Sequence, residues 1–172
     1  MEITPDNGIT WTRTKALNEK NIAAIQPAVL SHLSGKLQIL CRSKQSKILT
    51  SWSEDNGATW TELAPLNLPN PNSGIDAVTL KDGRHVVVYN HLINGRCMLN
   101  VAVSDDGINW KSAILLENDA KEKEYSYPAV IQSSDNKIHI TYTWNRKLIK
   151  HVVIDPELIE ARPFANSAWP SE

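Results

Sequence analysis

The sequence predicts an all-β fold made of four-stranded antiparallel β-propeller blades. Three observations support this prediction: a turn with Asp, Gly and Trp recurs about every 50 residues, short β-branched and apolar runs separate the turns, and helical periodicity is weak. A repeat of this length with about four hairpin-linked strands is typical of one propeller blade.

The recurring turn reads TPDNGITW at 4–11, SEDNGATW at 53–60 and VSDDGINW at 103–110. If Asp6, Asp55 and Asp105 are the shared aspartates, they lie 49 and 50 residues apart. Aspartate closes such a turn by accepting backbone hydrogen bonds, glycine supplies the positive φ, and tryptophan packs back over the turn. One more period leads to Asp155, where the glycine and tryptophan are missing. We therefore expect a fourth, degenerate turn there.

Strand-like runs fill each repeat in order. The second repeat contains AAIQPAVLSHL, KLQILCRSK, KILTSWSED and TWTELAPL; the third contains GIDAVTLKDG, RHVVVYNHL, CMLNVAVSD and NWKSAILLE; the fourth contains YSYPAVIQSSDN, KIHITYTW and LIKHVVID. Each run is rich in β-branched and apolar residues and is bounded by Gly, Asn, Asp or Pro, as expected for hairpin-linked strands.

The repeats predict one partial propeller domain. It comprises a remnant blade at 1–18, blades at 19–66 and 67–118, and a degenerate last blade with a tail at 119–172. Propellers close with about four to eight blades, so three blades leave open edges. We therefore expect either missing N-terminal blades or a homodimer that completes the ring, and we expect that the isolated chain is not a stable monomer.

Composition excludes several classes of function. The net charge of −1 argues against nucleic acid or an anionic membrane surface as a partner, and no apolar run is long enough to span a bilayer. The first residues lack the pattern of a signal peptide. Cys41 and Cys97 lie in separate strand-like runs, which predicts buried apolar fillers and not a disulfide or a metal pair. We expect no metal and no cofactor, because zinc-type spacing and phosphate-binding loops are missing from the sequence.

The S-x-D-x-G-x-x-W turn resembles the Asp-box of the sialidase (neuraminidase) superfamily, whose members are six-bladed propellers, and the resemblance covers nearly the whole chain. Sialidases grip the substrate carboxylate with three arginines and use a tyrosine nucleophile assisted by a glutamate. LQILCRSK resembles the segment of the second arginine, RCMLNVAVS that of the third, and EYSYPAV that of the tyrosine. The resemblance thus implies roles for Arg42, Arg96 and Tyr125, and a secreted or periplasmic location.

The chain departs from the sialidase pattern in two ways. Gln26 stands where the resemblance implies the glutamate partner of the tyrosine, and Asp76 is the nearest alternative base in the sequence. The first arginine and the aspartate acid/base of sialidases belong to early blades that have no counterpart here. The segments SGIDAVTLKDGR at 73–84 and YSYPAVIQSSDNKIHITYTWNRKLIKHVVIDP at 125–156 resemble bacterial neuraminidase-like Asp-box proteins, and the chain resembles the C-terminal half of such a protein.

Blade geometry predicts which rim carries the chemistry. In an up-and-down blade, the start of strand 1, the end of strand 2 and the start of strand 3 share one rim, and the Asp-box turns lie on the other. The first rim collects polar, cationic and aromatic residues, namely Gln26, Arg42, Asp76, Asn90, His91, Arg96, Tyr125, Tyr127, Trp144, Asn145 and Arg146. Arginine forks bind carboxylates, and aromatic faces pack on sugar rings. The Asp-boxes are therefore expected to be structural.

These observations favour a sialidase-like glycoside hydrolase fragment that acts on acidic or carboxylated glycans. Tyr125 and Asp76 are the catalytic candidates, and the substrate-binding candidates are Arg42, Arg96, Gln26, Asn90, His91, Tyr127 and Arg146. Two alternatives stay open: a non-catalytic carbohydrate-binding module, and a structural half-propeller that needs a partner chain. Release of sugar from an acidic glycoside would distinguish the first interpretation from binding alone.

Overall fold

Three antiparallel sheets follow one another along the chain in the computed structural model, which describes residues 1–15, 17, 21–119, 123–164 and 168–170. A short hairpin comes first, with β1 (Glu2–Ile3) paired to β2 (Thr12–Arg13). The first blade has β3 (Ala24–Ser31), β4 (Leu37–Ser43), β5 (Lys47–Ser53) and β6 (Ala64–Pro69); the second has β7 (Asp76–Thr79), β8 (His85–Tyr89), β9 (Met98–Ser104) and β10 (Trp110–Asn118); the third has β11 (Tyr125–Gln132), β12 (Ile138–Trp144) and β13 (Leu148–Ile154).

The predicted all-β class is confirmed, and so is the order of four, four and three strands. Each blade is an up-and-down meander in which sequential strands pair. One strand differs from its expected position: β6 begins at Ala64 and runs to Pro69, three residues beyond the predicted boundary at residue 66. The Asp-box turn and the segment after it occupy the residues before Ala64, where strand was expected.

The blades pack face to face around their first strands, since β7 contacts both β3 and β11. One apolar cluster joins the first two blades and includes Leu30, Leu40, Ile48, Leu68, Val87 and Tyr89. A second joins the second and third blades and includes Val86, Val88, Val101, Tyr125, Ile140 and Tyr142. Since β8 supplies both clusters on alternate sides, the second blade is buried on both faces, as alternating side chains allow.

The two outer faces of the stack differ. On the first blade, Ile39, Cys41 and Leu49 are covered by N-terminal residues that include Met1 and Ile22. On the third blade, the large apolar side chains of Ile131, Ile149 and Val153 are exposed. Cys41 is buried and Cys97 half-buried, and both are free thiols.

Each Asp-box closes through the same set of local hydrogen bonds. In the second box, Ser53 donates to Asp55 Oδ1 (2.8 Å), Asp55 Oδ1 accepts from Thr59 N (2.8 Å), and Trp60 Nε1 donates to Gly57 O (2.8 Å). The hydrogen bonds that Asp55 accepts, first from Thr59 and then from Ser53, lower the pKa of its carboxyl to about 2. The second and third boxes join the third and fourth strands of their blades, on the rim predicted for them, and the first box joins β1 to β2.

The third box corrects the sequence alignment. Asp106, and not Asp105, accepts from Ser104 Oγ (3.0 Å) and from the amides of Ile108 and Asn109. Asp105 instead forms an ion pair with Lys111 at the surface. The third turn is one residue shorter than the second, so an alignment by constant spacing selects the wrong aspartate. At the degenerate fourth turn, Asp155 caps a 3-10 helix (Pro156–Leu158).

A chain of hydrogen bonds through two histidines crosses from the first blade to the second on the Asp-box rim. Gln38 Nε2 donates to Gly107 O (2.8 Å), so Gln38 Oε1 accepts from His32 Nε2 (3.0 Å). His32 Nδ1 lies 3.1 Å from His85 Nε2, and His85 Nδ1 lies 3.0 Å from Thr79 Oγ1. The chain is complete when each ring carries its proton on Nε2, so that His85 Nε2 donates to His32 Nδ1 and Thr79 Oγ1 donates to His85 Nδ1.

Candidate functional site

The candidate site lies on the rim opposite the Asp-boxes, which we call the arginine rim. It is formed by the starts of β3 and β11, the end of β4, the loop before β9 and the β12–β13 turn. Two of these strands carry a β-bulge, in β3 between Ile25 and Ala28 and in β11 between Ser126 and Ala129. Bulges re-aim side chains and are frequent beside active sites.

The two bulges hold strained residues. Gln26 has φ 54° and Tyr127 has φ 51°, and each precedes a proline. A left-handed conformation is costly for residues with a large side chain, and it persists only where the surrounding structure holds it. Both strained side chains interact with Arg42, so the strained backbone coincides with the candidate site.

Arg42, at the end of β4, is only 8% exposed and has neutral partners. Its Nη1 donates to Gln26 Oε1 (3.0 Å), its Nε donates to Asn72 Oδ1 (3.2 Å), and its Nη2 donates to the Asn72 carbonyl. None of these partners is an acid, so they orient the guanidinium without neutralising it. A cation held this way is suited to an external anion.

Tyr127 lies between Arg42 and Arg96 and is 55% exposed. The Arg96 guanidinium is 5.6 Å from the centre of the Tyr127 ring. A hydrogen bond from Arg42, followed by the charge of Arg96, lowers the pKa of the Tyr127 hydroxyl. The ring packs on Gly74, where an added Cβ would lie 3.1 Å from Tyr127 Cδ1. The fold thus brings two arginines from different blades to one exposed phenol.

Glu124 is a site residue that the sequence analysis missed. Its carboxylate pairs with Arg96 Nη1 (3.2 Å) and Arg146 Nε (2.9 Å), and it accepts from Ser126 Oγ (3.0 Å). Burial works against ionisation of Glu124, but hydrogen bonds from Arg146 and Ser126 outweigh it and lower the pKa of the carboxyl. The position of Glu124 directly before β11, on the rim already rich in arginines, was the signal available in the sequence.

Tyr125 does not lie with the arginines, although the sequence analysis placed it at the ligand. Its side chain is fully buried between the second and third blades, and its hydroxyl donates to Asp119. Burial, and then the hydrogen bond to Asp119, raise the pKa of Tyr125 to about 12. Since side chains alternate along a strand and a bulge follows Ser126, the tyrosine two residues later reaches the rim instead.

The Asp76 carboxylate accepts hydrogen bonds from two backbone amides. Its Oδ1 accepts from Ala77 N (2.9 Å) and its Oδ2 accepts from Val130 N (2.8 Å). Val130 follows the bulge in β11, so Asp76 links the first strands of the second and third blades. This geometry is that of a structural link, whereas the sequence analysis made Asp76 a catalytic candidate.

Asn90 and His91 are buried and serve the packing of the loop before β9. Asn90 Nδ2 donates to the carbonyls of Met98 (2.7 Å) and Tyr125 (2.9 Å). The His91 ring stacks on Phe164 at 4.8 Å and bonds the Tyr89 hydroxyl. These contacts hold the loop that carries Arg96, and both side chains are buried, whereas Tyr127 is exposed. Gln26 and Arg146 do reach the site, through Arg42 and Glu124.

A family model described as the BNR repeat-like domain matches residues 1–140. The chain belongs to the BNR repeat-like family. No curated protein matches this BNR repeat protein at a significant level.

Solved structures resemble this BNR repeat protein in fold. An intramolecular trans-sialidase from Ruminococcus gnavus matches with a TM-score of 0.77 and 18% identity, over 94% of this chain and 39% of that one. A leech intramolecular trans-sialidase matches with a TM-score of 0.75 and 18% identity, over 90% and 27%. A Trypanosoma rangeli sialidase matches with a TM-score of 0.68 and 20% identity, over 88% and 26%. The sialidase superfamily fold is thus confirmed, and the chain spans about two fifths or less of these relatives.

Two further findings concern the described residues. No group of three or more His, Cys, Asp or Glu side chains among them is arranged to hold a metal ion. No helix in the described ranges has both the length and the apolar character needed to cross a membrane.

Proposed function

We propose that the arginine rim binds an acidic, carboxylated glycan, and that it forms part of a sialidase-like glycoside hydrolase site. The observation that carries this proposal is the exposed Tyr127 hydroxyl between Arg42 and Arg96. Among the described residues, the partners of Arg42 are neutral, so its charge is available to a carboxylate. Tyr127 then faces the sugar that bears this carboxylate. The fold shared with sialidases supports the substrate class.

In a hydrolase of this kind, Tyr127 is the candidate nucleophile. Its oxygen would bond to the anomeric carbon while the glycosidic bond breaks, and its proton must pass to a base. The departing glycosidic oxygen must take up a proton from an acid, and water must then displace the tyrosine to release the sugar. A neutral phenol is not repelled by the substrate carboxylate, and the two arginines ease loss of its proton. This proposal assigns Tyr127 the role that the resemblance implied for Tyr125, because the Tyr125 hydroxyl is buried against Asp119.

One observation favours a second candidate function, binding without turnover. Gln26 holds Arg42 through its amide oxygen, and an amide cannot accept the proton of Tyr127 as a carboxylate can. Glu124 is the carboxylate found within the same cluster, and it is already shared by Arg96 and Arg146. A carbohydrate-binding module would use the same arginines and the same tyrosine.

The test is isothermal titration with 3′-sialyllactose, followed by an assay for released sugar. We expect binding by the unaltered chain and a loss of at least about tenfold in Arg42→Ala, because the carboxylate loses its charged hydrogen bonds. Arg13→Ala, which removes an exposed arginine of the N-terminal hairpin, is the matched control and should bind normally. Equal affinity in the two variants would contradict the proposal. Sugar release separates the hydrolase from the binding module.

We further propose that other blades complete the site, either from a second copy of the chain or from additional sequence. The exposed Ile131, Ile149 and Val153 on the third blade support this proposal, because such side chains in propellers pack against the next blade. Light scattering of the chain at micromolar concentration tests the second-copy route. A mass of twice 19.2 kDa is expected for a dimer, and a monomer would leave additional sequence as the source.

A further inference from the structure

A pocket of about 440 Å³ lies beside the Arg96–Tyr127 cluster and shares Glu124 with it. Its lining residues are Lys123, Glu124, Trp144, Asn145, Arg146 and Lys147. The pocket contains an aromatic face, an amide, one carboxylate and three cations. This composition suits a sugar that carries a negative charge.

The walls of the pocket are fixed by a tight turn. Asn145 and Arg146 connect β12 to β13 with φ values of 51° and 52°, as in a type I′ hairpin. Asn145 clamps the neighbouring strand start, because its Oδ1 accepts from Glu124 N (3.0 Å) and its own N donates to Glu124 O (2.7 Å). Trp144 packs against the buried ring of Tyr125, with 6.3 Å between ring centres. The pocket therefore has a rigid floor.

Charge in the pocket is unbalanced. Glu124 is shared by Arg96 and Arg146, so its single negative charge faces two guanidinium groups. Lys123 and Lys147 are exposed, and neither forms a salt bridge within the part of the chain that the structure describes. The pocket therefore keeps a net positive charge while Glu124 offers an acceptor for a sugar hydroxyl.

We propose that this pocket is a second subsite, which takes an acidic sugar linked to the sugar held at Arg42 and Tyr127. The inference rests on the proposed function, since the first sugar must bind for the second to be placed. Lys123 and Lys147 attract the charged group of the second sugar, and Trp144 offers it an apolar face. Glu124, between the two subsites, is the acceptor that both sugars can reach. The ligand class is thus an oligosaccharide with two adjacent acidic residues.

The experiment compares three probes by isothermal titration: N-acetylneuraminic acid, its α2,8-linked dimer, and 3′-sialyllactose, whose second sugar is neutral. We expect the dimer to bind about tenfold more tightly than the monomer. The affinity of 3′-sialyllactose should exceed that of the monomer by a smaller factor. In the double variant Lys123→Ala/Lys147→Ala, the gain of the dimer should fall to about twofold or less while monomer affinity stays unchanged. Lys44→Ala, an exposed lysine in the β4–β5 turn of the first blade, is the control.

A second measurement distinguishes the subsite from a general attraction of anions. The indole N–H resonance of Trp144 should shift with the dimer and not with the monomer. The subsite is contradicted, and the proposed function stands, if the monomer binds but the dimer binds no more tightly. The same conclusion follows if the dimer leaves the Trp144 resonance unshifted. An equal loss of monomer and dimer binding in the double variant also overturns it. If neither probe binds, the proposed function fails, and the subsite that depends on it fails with it.

Discussion

The aspartates of the Asp-box rim and the arginines of the arginine rim are held in opposite ways. On the Asp-box rim, each aspartate takes its hydrogen bonds from within its own turn, as Asp55 does from Ser53 and Thr59. On the arginine rim, the important contacts join different blades, as when Arg42 and Arg96 meet at Tyr127. The carboxylates of the first rim are hydrogen-bonded locally, whereas on the second rim the partners of Arg42 within the described ranges are neutral.

Under the proposed function, this difference separates the residues that stabilise the fold from those that bind the ligand. Local turns with satisfied groups hold neighbouring strands together and leave no charge for a ligand. The arginine rim instead has strained backbone at Gln26 and Tyr127, and it holds Arg42 through neutral groups such as the Gln26 amide. Backbone strain and a charge without an opposite partner both lower stability, and such features are concentrated at functional sites. Substitutions on the two rims should therefore have different consequences.

The largest expected effect on stability is at the buried tryptophan of the third Asp-box. Trp110 is 8% exposed and belongs to the cluster between the first two blades. Trp110→Ala should lower the free energy of unfolding by about 3–5 kcal/mol, because it leaves a large cavity. Denaturant unfolding measures this change, and Trp11→Ala, at a box whose tryptophan is 60% exposed, is the control. Full stability with lost ligand binding in Trp110→Ala would mean that the roles of the rims are reversed.

Acid should destabilise the Asp-box rim through His85. Burial first, and then the neighbouring His32, lower the pKa of His85 to about 4, although Asp106 and Asp105 work against this. Because the folded state favours the neutral ring, its stabilising contribution is complete above about pH 6.5 and is lost as the pH falls toward 4. We expect roughly 2–3 kcal/mol of lost stability over this interval from His85 alone.

Unfolding by urea at a series of pH values from 7 to 4 checks this expectation. His85→Gln, which cannot take up a proton, should show a flatter dependence of the unfolding free energy on pH. The same slope in the variant and the unaltered chain would contradict the hydrogen-bond chain through neutral histidines.

A smaller effect is expected at Asp76, the link between the second and third blades. Asp76→Ala leaves the Val130 amide without its acceptor and should cost about 1–3 kcal/mol in the free energy of unfolding. Asp76→Asn keeps one oxygen acceptor and should cost less. Both variants should retain ligand affinity at a temperature where they stay folded. Normal stability with abolished activity would instead support the catalytic role that the sequence suggested.

The strand order and the Asp-box chemistry could be predicted because both depend on residues close together in the chain. The turns recur at a nearly constant spacing, and alternating apolar residues mark each strand. Even so, constant spacing selected Asp105 over Asp106, because one residue is missing from the third turn. Local patterns therefore predict which elements form more reliably than they predict the exact residue.

The site could be predicted only in part. Arg42 and Arg96 were assigned to one rim, and the structure brings both to the same phenol. Both Tyr125 and Tyr127 were candidates, and the sequence could not show which side chain is exposed, because this depends on the bulge after Ser126 that turns the later side chain outward. Glu124 was missed for a similar reason: its partners Arg96 and Arg146 come from a different blade and a different hairpin.

The most direct test compares the two tyrosines as matched variants. Tyr127→Phe and Tyr125→Phe each remove one hydroxyl, from an exposed site between arginines and from a buried contact with Asp119 respectively. Titration with 3′-sialyllactose and thermal unfolding should be measured on both. We predict that Tyr127→Phe weakens ligand binding with little change in melting temperature. Tyr125→Phe should lower the melting temperature, while the folded chain keeps its affinity. The reverse pattern would contradict the assignment of Tyr127 to the ligand.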